Sequence, residues 1–212
     1  LCSWDKYFIW TDNCEKFLIE RLINNSVYIK KKPEFIKIGL IYFNDLNKTL
    51  NLGNKKTIAL FTYERHKFSP GLSTIAEWQY KNPKLLWNFY NQILSIANEL
   101  NLQIIIKRKR NLENNIKIKR FESLFKILAK SKNVLIIDPR HSAYKVILNC
   151  DLVISQPFTS VGYAAKKLNK PSVYFDPTKQ LKLDDNSANG VDVINDKILL
   201  KKWVMEKLKN EI

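Results

Sequence analysis

The sequence predicts an α/β fold, a doubly wound parallel sheet with helices on both faces. Three observations predict it. First, from Thr57 onward five short apolar runs recur, at 57–62, 102–106, 134–137, 151–155 and 172–175. They are almost continuously apolar instead of alternating, the pattern of strands buried on both faces. Second, amphipathic helical patterns fall between most of them, which is the alternation of βαβ units. Third, residues 150–177 read CDLVISQPFTSVGYAAKKLNKPSVYFDP. That is strand, tight turn, helix and strand in one right-handed crossover.

In chain order, the first element is a buried strand at Lys6–Trp10. Asp12 or Asn13 caps a helix through about Leu22, with Phe17, Leu18 and Leu22 on one side. Apolar runs follow at 26–29 and 36–43, with Pro33 between them. Residues 44–56 are polar, contain Gly53 and read as a linker. Residues 1–50 hold about one βαβ repeat, too little for a core of its own. The expected division is 1–53, a partial βαβ remnant of a preceding N-terminal domain plus linker, and 54–212, the main domain. Within it, residues 63–80 form a loop long enough to suggest function. Asn82-Pro83 opens a helix to about Leu100. Shorter helices fall at 121–130 and 141–149, the second capped by Ser142. Residues 176–195 read as a loop. Asp196 then caps a last helix to about Lys209, with Leu200, Trp203, Val204 and Leu208 facing inward.

Composition narrows the partners. Hydrophobic residues make up 45% of 212, enough for a real core, and the net charge is +16. That charge suits phosphorylated small molecules, anionic lipid or nucleic acid. The aromatics fall in strands and helix interiors, where packing accounts for them, so nucleic acid is not the expected partner. Cys2, Cys14 and Cys150 are scattered and odd in number, which fits a reducing cytosol and neither a disulfide framework nor a zinc site. No apolar run reaches the length of a membrane span. No secretory pattern opens the chain, which starts at Leu1 and reads as a fragment.

If the sheet is parallel, the loops after its strands share one rim, where open α/β sheets bind ligands. The first loop carries Glu64, Arg65 and His66. The second carries Lys107 to Arg110, the third Asp138, Arg140 and His141, the fourth Thr159 and Ser160, and the fifth Asp176. Cations and hydroxyls dominate, a composition suited to a phosphate or diphosphate. The turn at Gln156–Ser160 adds unpaired N–H groups and the positive end of a helix dipole. Gly162 in the next turn lets another group approach closely. Five glycines and no GxGxxG exclude a glycine-rich cradle, so helix N-termini and cations must do that work. Asp184-Asp185 lie in a polar loop, and no metal site is expected.

These residues carry a resemblance. Asp151–Ser155, then Pro157-Phe-Thr-Ser160, then Lys170–Pro177 resemble the bacterial surface-polysaccharide biosynthesis proteins named for a PFTS motif. Ile105–Asn111, Asp138-Pro139 with Ser142-Ala-Tyr144, Ala59–Thr62 with Arg65, and Asp184-Asp185 to Gly190 extend it over residues 56–205. The resemblance implies a Rossmann-like domain akin to the C-terminal half of GT-B glycosyltransferases and, more distantly, to users of CMP-activated acidic sugars. Where those enzymes commonly carry a His-Pro pair, this chain reads Lys109-Arg110.

Several expectations follow from it. The ligand is a nucleotide-sugar, a CMP-linked one among the candidates, with no cofactor and no metal. The acceptor is a glycan or lipid-linked glycan. Thr159, Ser160, Arg65, Lys107, Lys109 and Arg110 bind the donor phosphates. Asp138, Pro139, Ser142, Tyr144, Ser155, Pro157 and Phe158 lie on the nucleoside side. Glu64 and His66 are candidate bases by position. The expected location is the cytoplasm, peripheral at the inner face of the membrane. Transfer of an alditol phosphate from a CDP-linked donor is the alternative within the enzymes. A non-catalytic basic module docking on an anionic membrane surface through Lys166, Lys167, Lys201, Lys202 and Lys207, or on nucleic acid, is the alternative outside them.

Overall fold

A computed structural model describes residues 5–24, 33–39, 50, 52–61, 83–108 and 119–209, without the side chains of 21–24, 83, 120 and 121. The first unit is β1 (Lys6–Ile9), α1 (Asp12–Asn24) and β2 (Glu34–Lys37), with β1 and β2 paired in parallel as a two-stranded sheet. The main sheet follows as β3 (Thr57–Phe61), α2 (Pro83–Glu99), β4 (Gln103–Lys107), α3 (Lys119–Leu128), β5 (Val134–Ile137) and α4 (Ala143–Leu148). The chain continues as β6 (Leu152–Ser155), α5 (Ser160–Lys167), β7 (Ser172–Phe175), a 3-10 turn (Asn186–Ala188), β8 (Asp192–Ile194) and α6 (Lys197–Lys209).

Six strands pair in parallel in the order β5-β4-β3-β6-β7-β8. Counted from β3, that is 3-2-1-4-5-6, the doubly wound order with its switch point between β3 and β6. β3 and β6 are buried throughout, which explains their unbroken apolar sequence. Their alternate side chains feed two cores. Ile58, Leu60, Ile104, Ile106, Leu152 and Ile154 pack under α2, α3 and α6. Ala59, Phe61, Ile105 and Val153 pack under α4 and α5.

Asp151 ties the two central strands together at their start. Its carboxylate accepts from Thr57 N at 2.7 Å and Thr57 Oγ1 at 3.0 Å, and Lys56 Nζ lies 2.9 Å from it. Cys150 closes the same end, 2% exposed, its thiol donating to Ile147 O at 3.2 Å. Burial pushes this thiol up to about 12. In the unfolded chain a thiol ionises near pH 8.5, so the unfolded state gives up its proton first. The stability this group contributes is complete below about pH 8.5 and is lost as pH rises toward 12. Urea titrations at pH 8 and pH 10 should show a drop of about 2 kcal/mol that shrinks in Cys150→Ala.

The elements depart from the sequence reading in four places. Residues 176–195 are not all loop: they hold the 3-10 turn and the sixth strand, β8. An edge strand of three residues, Asp192-Val-Ile, has no apolar run to announce it. The strand at Lys6–Ile9 is not buried: Phe8 is 68% exposed and Ile9 alone of its residues is buried. The cap of α1 is Thr11, not Asp12 or Asn13. Thr11 Oγ1 accepts from Cys14 N at 3.1 Å, while Asp12 pairs with Lys37 at 2.6 Å. In the linker, Leu50 and Leu52 pack against the α4–α5 core, and Leu50 N donates to Asn149 Oδ1 at 3.0 Å. The runs at 26–29 and 40–43 and the loop at 63–80 lie outside the described residues.

Candidate functional site

The C-terminal ends of β3 and β6 meet at the switch point, and the loop leaving β6 is Gln156-Pro-Phe-Thr159. Thr159 N donates back to Gln156 O at 3.4 Å, and Thr159 Oγ1 donates to the same carbonyl at 2.9 Å. Pro157 supplies the fixed φ of the first central residue, and Phe158 takes φ +60° at the second. That is the type II turn pattern, with an aromatic residue where glycine or asparagine is usual. A bulky residue in the left-handed region is strained, and such strain persists only where its surroundings enforce it. Here Phe158 packs edge-on against Tyr174, ring centroids 5.9 Å apart. Tyr174 Oη donates to Thr159 O at 2.7 Å. The turn is therefore held from below by a buried tyrosine, whose burial raises its pKa.

α5 begins directly after this turn, with Thr159 as its cap residue. The Thr159 hydroxyl is turned back to Gln156, so no side chain caps the helix. Among the described residues, the N–H groups of Ser160 and Val161 find no acceptor, and Ser160 is exposed. Gln156 lies at the same point, 3% exposed, its side-chain nitrogen buried with no acceptor among the described residues. Such orphaned donors are rare and ask for a reason. The sequence reading passed over Gln156. The available signal was a polar residue between an apolar strand and a proline.

Gly162 is the point of close approach that its place in the turn suggested. A Cβ there would overlap the edge of the Tyr174 ring, with Cζ 2.9 Å and Ser155 Oγ 3.0 Å away. The close approach is made by β7's tyrosine, not by a ligand. Ser172 Oγ also donates to Gly162 O at 2.9 Å. Gly162→Ala should therefore destabilise the fold by about 2 kcal/mol, because overpacking outweighs the helix propensity gained. Urea denaturation checks this, and Gly162→Ala in a Tyr174→Ala background should cost clearly less.

The remaining rim residues divide. Ser155 is not on the loop: it is the last residue of β6, fully buried, its hydroxyl under α5. Lys107 closes β4, 7% exposed, its ammonium donating to Arg108 O at 2.9 Å and Pro139 O at 3.2 Å. Burial lowers its pKa, with the charge of Asp138 opposing. Lys107 thus ties the β4 and β5 loops together. It sits two strands from β6, about 10 Å across the sheet.

Arg108 is drawn off the rim by Glu122 at 2.6 Å and by the Phe125 ring at 4.7 Å. Asp138 is held by Arg140 through three side-chain bonds of 2.6 to 3.1 Å and by the Arg140 N–H at 2.8 Å, which brings its carboxyl down to about 2. Pro139, Ser142 and Tyr144 follow in the same loop and the start of α4, and Ser142 makes no side-chain cap bond. Asp176 is fully buried and bound by its own loop rather than open to the rim. Glu64, Arg65, His66, Lys109 and Arg110 lie outside the described residues.

The first unit docks beside this site. Trp10 stacks on Tyr163 of α5, ring centroids 5.8 Å apart, and Thr11 Oγ1 donates to Asn189 Oδ1 at 2.6 Å. An open cleft of about 360 Å³ lies between Asn13 of α1 and the loop carrying Asp184, Asp185 and Gly190. Its lining includes no residue of the Gln156–Ser160 turn. Asp185 accepts from Ser187 N at 2.8 Å as the cap of the 3-10 turn. No group of three or more His, Cys, Asp or Glu that could hold a metal occurs among the described residues. No helix among them is long and apolar enough to cross a membrane.

Comparison with solved structures finds two of a Methanocaldococcus jannaschii UDP-GlcNAc 2-epimerase. One, in complex with UDP-GlcNAc and UDP, is 19% identical, with TM-score 0.49, and covers 72% of this chain and 38% of its own. The other is 18% identical, with TM-score 0.48, and covers 90% of this chain and 43% of its own. The chain thus spans about two fifths of the length of these structures. No curated protein matches it. The family model of polysaccharide biosynthesis PFTS motif proteins matches residues 1–204, so the chain belongs to that family.

Proposed function

We propose that residues 57–209 are the donor-binding part of a GT-B-like glycosyltransferase acting in surface polysaccharide biosynthesis. One observation carries the reading. At the switch point of the sheet, a strained and pinned turn leaves the first N–H groups of α5 without an acceptor among the described residues. Donors aimed outward from a helix N-terminus suit a phosphate. In this reading the N–H groups of Ser160 and Val161 and the Ser160 hydroxyl hold the donor phosphate. Thr159, its hydroxyl donated to the Gln156 carbonyl, shapes the turn that presents these donors, and the Gln156 amide adds a buried donor. The loop at Asp138–Tyr144, fastened to β4 by Lys107, leaves β5, three strands from β6 and that phosphate site. A ligand lying across β3 and β4 would reach both, which suits the nucleoside of an activated sugar. Preorganised donors would stabilise the nucleotide as it leaves, without a metal. Membership of the polysaccharide biosynthesis family supports the sugar chemistry.

A thermal-shift screen against CMP, CDP, UDP, GDP and ADP tests it, each with and without EDTA. A bound nucleotide raises the melting temperature by mass action. The expected result is a selective rise with one base, unchanged by EDTA. A rise that EDTA abolishes would overturn the metal-free part, and no rise with any nucleotide would overturn donor binding by this chain.

A further inference from the structure

α6 has two poles. Leu200, Trp203 and Val204 are buried against the sheet. Helical spacing then places residues 198, 202, 205 and 209 on the opposite pole. They are Ile198, Lys202, Met205 and Lys209. Ile198 is 78% exposed, its neighbour Leu199 55% and Met205 40%. The helix carries five lysines and one glutamate. Lys197 and Lys201 turn inward to Glu99 of α2, at 3.8 and 2.8 Å. Lys202, Lys207 and Lys209 have no ion pair among the described residues.

We propose that this pole of α6 docks on an anionic lipid surface. Ile198, Leu199 and Met205 enter the headgroup layer, and Lys202 and Lys209 meet lipid phosphates. Charge complementarity selects this occupant, because the chain carries a net +16 and the exposed apolar residues stand among cations. The cores of protein interfaces are depleted in lysine, whereas a lysine stem lies along an apolar layer and keeps its charge at the phosphates.

The fold also decides which lysines take part. α5 packs on the other face of the sheet from α6. Lys166 there donates to Gly190 O, and Lys167 lies over the Tyr163 ring at 5.7 Å. One flat surface cannot meet both layers, and α5 shows no exposed large apolar residue. None of these α6 residues belongs to the Gln156–Ser160 turn, so the docking surface and the donor site are built from different residues.

Co-sedimentation of the whole chain with phosphatidylcholine vesicles, with and without phosphatidylglycerol, tests the proposal. Binding is expected only with phosphatidylglycerol, and high salt should abolish it. Ile198→Ser/Leu199→Ser/Met205→Ser should weaken binding about tenfold, with net charge and melting temperature unchanged. Lys166→Gln/Lys167→Gln should weaken it less than about twofold. The proposal falls if the triple variant binds like the parent, or if the Lys166/Lys167 pair loses as much. It falls equally if the chain ignores anionic vesicles, or if the triple variant instead dissolves a dimer in solution. Nucleotide shifts measured on the same variants should not change, which separates failure here from failure of the donor site.

Discussion

Asp176→Ala should lower the unfolding free energy by about 3 kcal/mol, the largest loss expected from any single substitution near the rim. The side chain is fully buried at the end of β7. One oxygen accepts from Thr178 N at 3.0 Å and Thr178 Oγ1 at 2.5 Å, the other from Gln180 N and Leu181 N, each at 3.1 Å. Removing it leaves the N–H groups of Thr178, Gln180 and Leu181, which converge on this buried carboxylate, without their acceptor. Asp176→Asn should cost nearly as much, because its NH2 would face N–H groups. Urea denaturation measures both. A loss below about 1 kcal/mol would mean that water reaches these donors freely. Nucleotide affinity of the folded fraction should not change, since the carboxylate is occupied by its own loop.

That contrast shows what the sequence could and could not say. A carboxylate one residue past a buried strand looks the same in sequence whether it faces a ligand or folds back on its loop. Asp176 folds back, Asp138 is taken by Arg140, Arg108 by Glu122, and the Lys107 ammonium by two carbonyls. Only the tertiary fold distributes those partners. Sequence did carry the parallel order, because β3 and β6 are buried on both faces and read as unbroken apolar runs. It carried the α6 cap as well: Asp196 accepts from Ile198 N and Leu199 N at 2.8 and 3.1 Å. It hid β8, three residues on an edge, and the left-handed Phe158, because type II turns are read from glycine or asparagine. It marked Gly162 as a point of close approach without naming the group that approaches. What approaches is Tyr174, fifteen residues past Thr159, whose hydroxyl bond to the Thr159 carbonyl no local pattern announces.

Thr159→Ala/Ser160→Ala should weaken nucleotide binding about tenfold or more while the chain stays folded. Only the Ser160 hydroxyl is free to donate to the phosphate, because the Thr159 proton sits on the Gln156 carbonyl, and one such bond to a charged group contributes about 1.5 to 3 kcal/mol. The stability cost is smaller. Thr159 loses one bond to the Gln156 carbonyl, about 1 kcal/mol, and Ser160 has no side-chain bond to lose among the described residues. The backbone N–H groups survive the substitution, so residual weak binding should persist at high ligand concentration. Isothermal titration with the nucleotide selected by thermal shift measures the change, and a urea midpoint measures the fold. The single variants separate the roles. Ser160→Ala should lose affinity with an unchanged midpoint, while Thr159→Ala should lower the midpoint and cost less affinity, because its hydroxyl closes the turn. If the double variant bound as tightly as the parent, the phosphate would not sit at the start of α5. The strain at Phe158 and the bond from Tyr174 would then serve only the packing of α5 against β7.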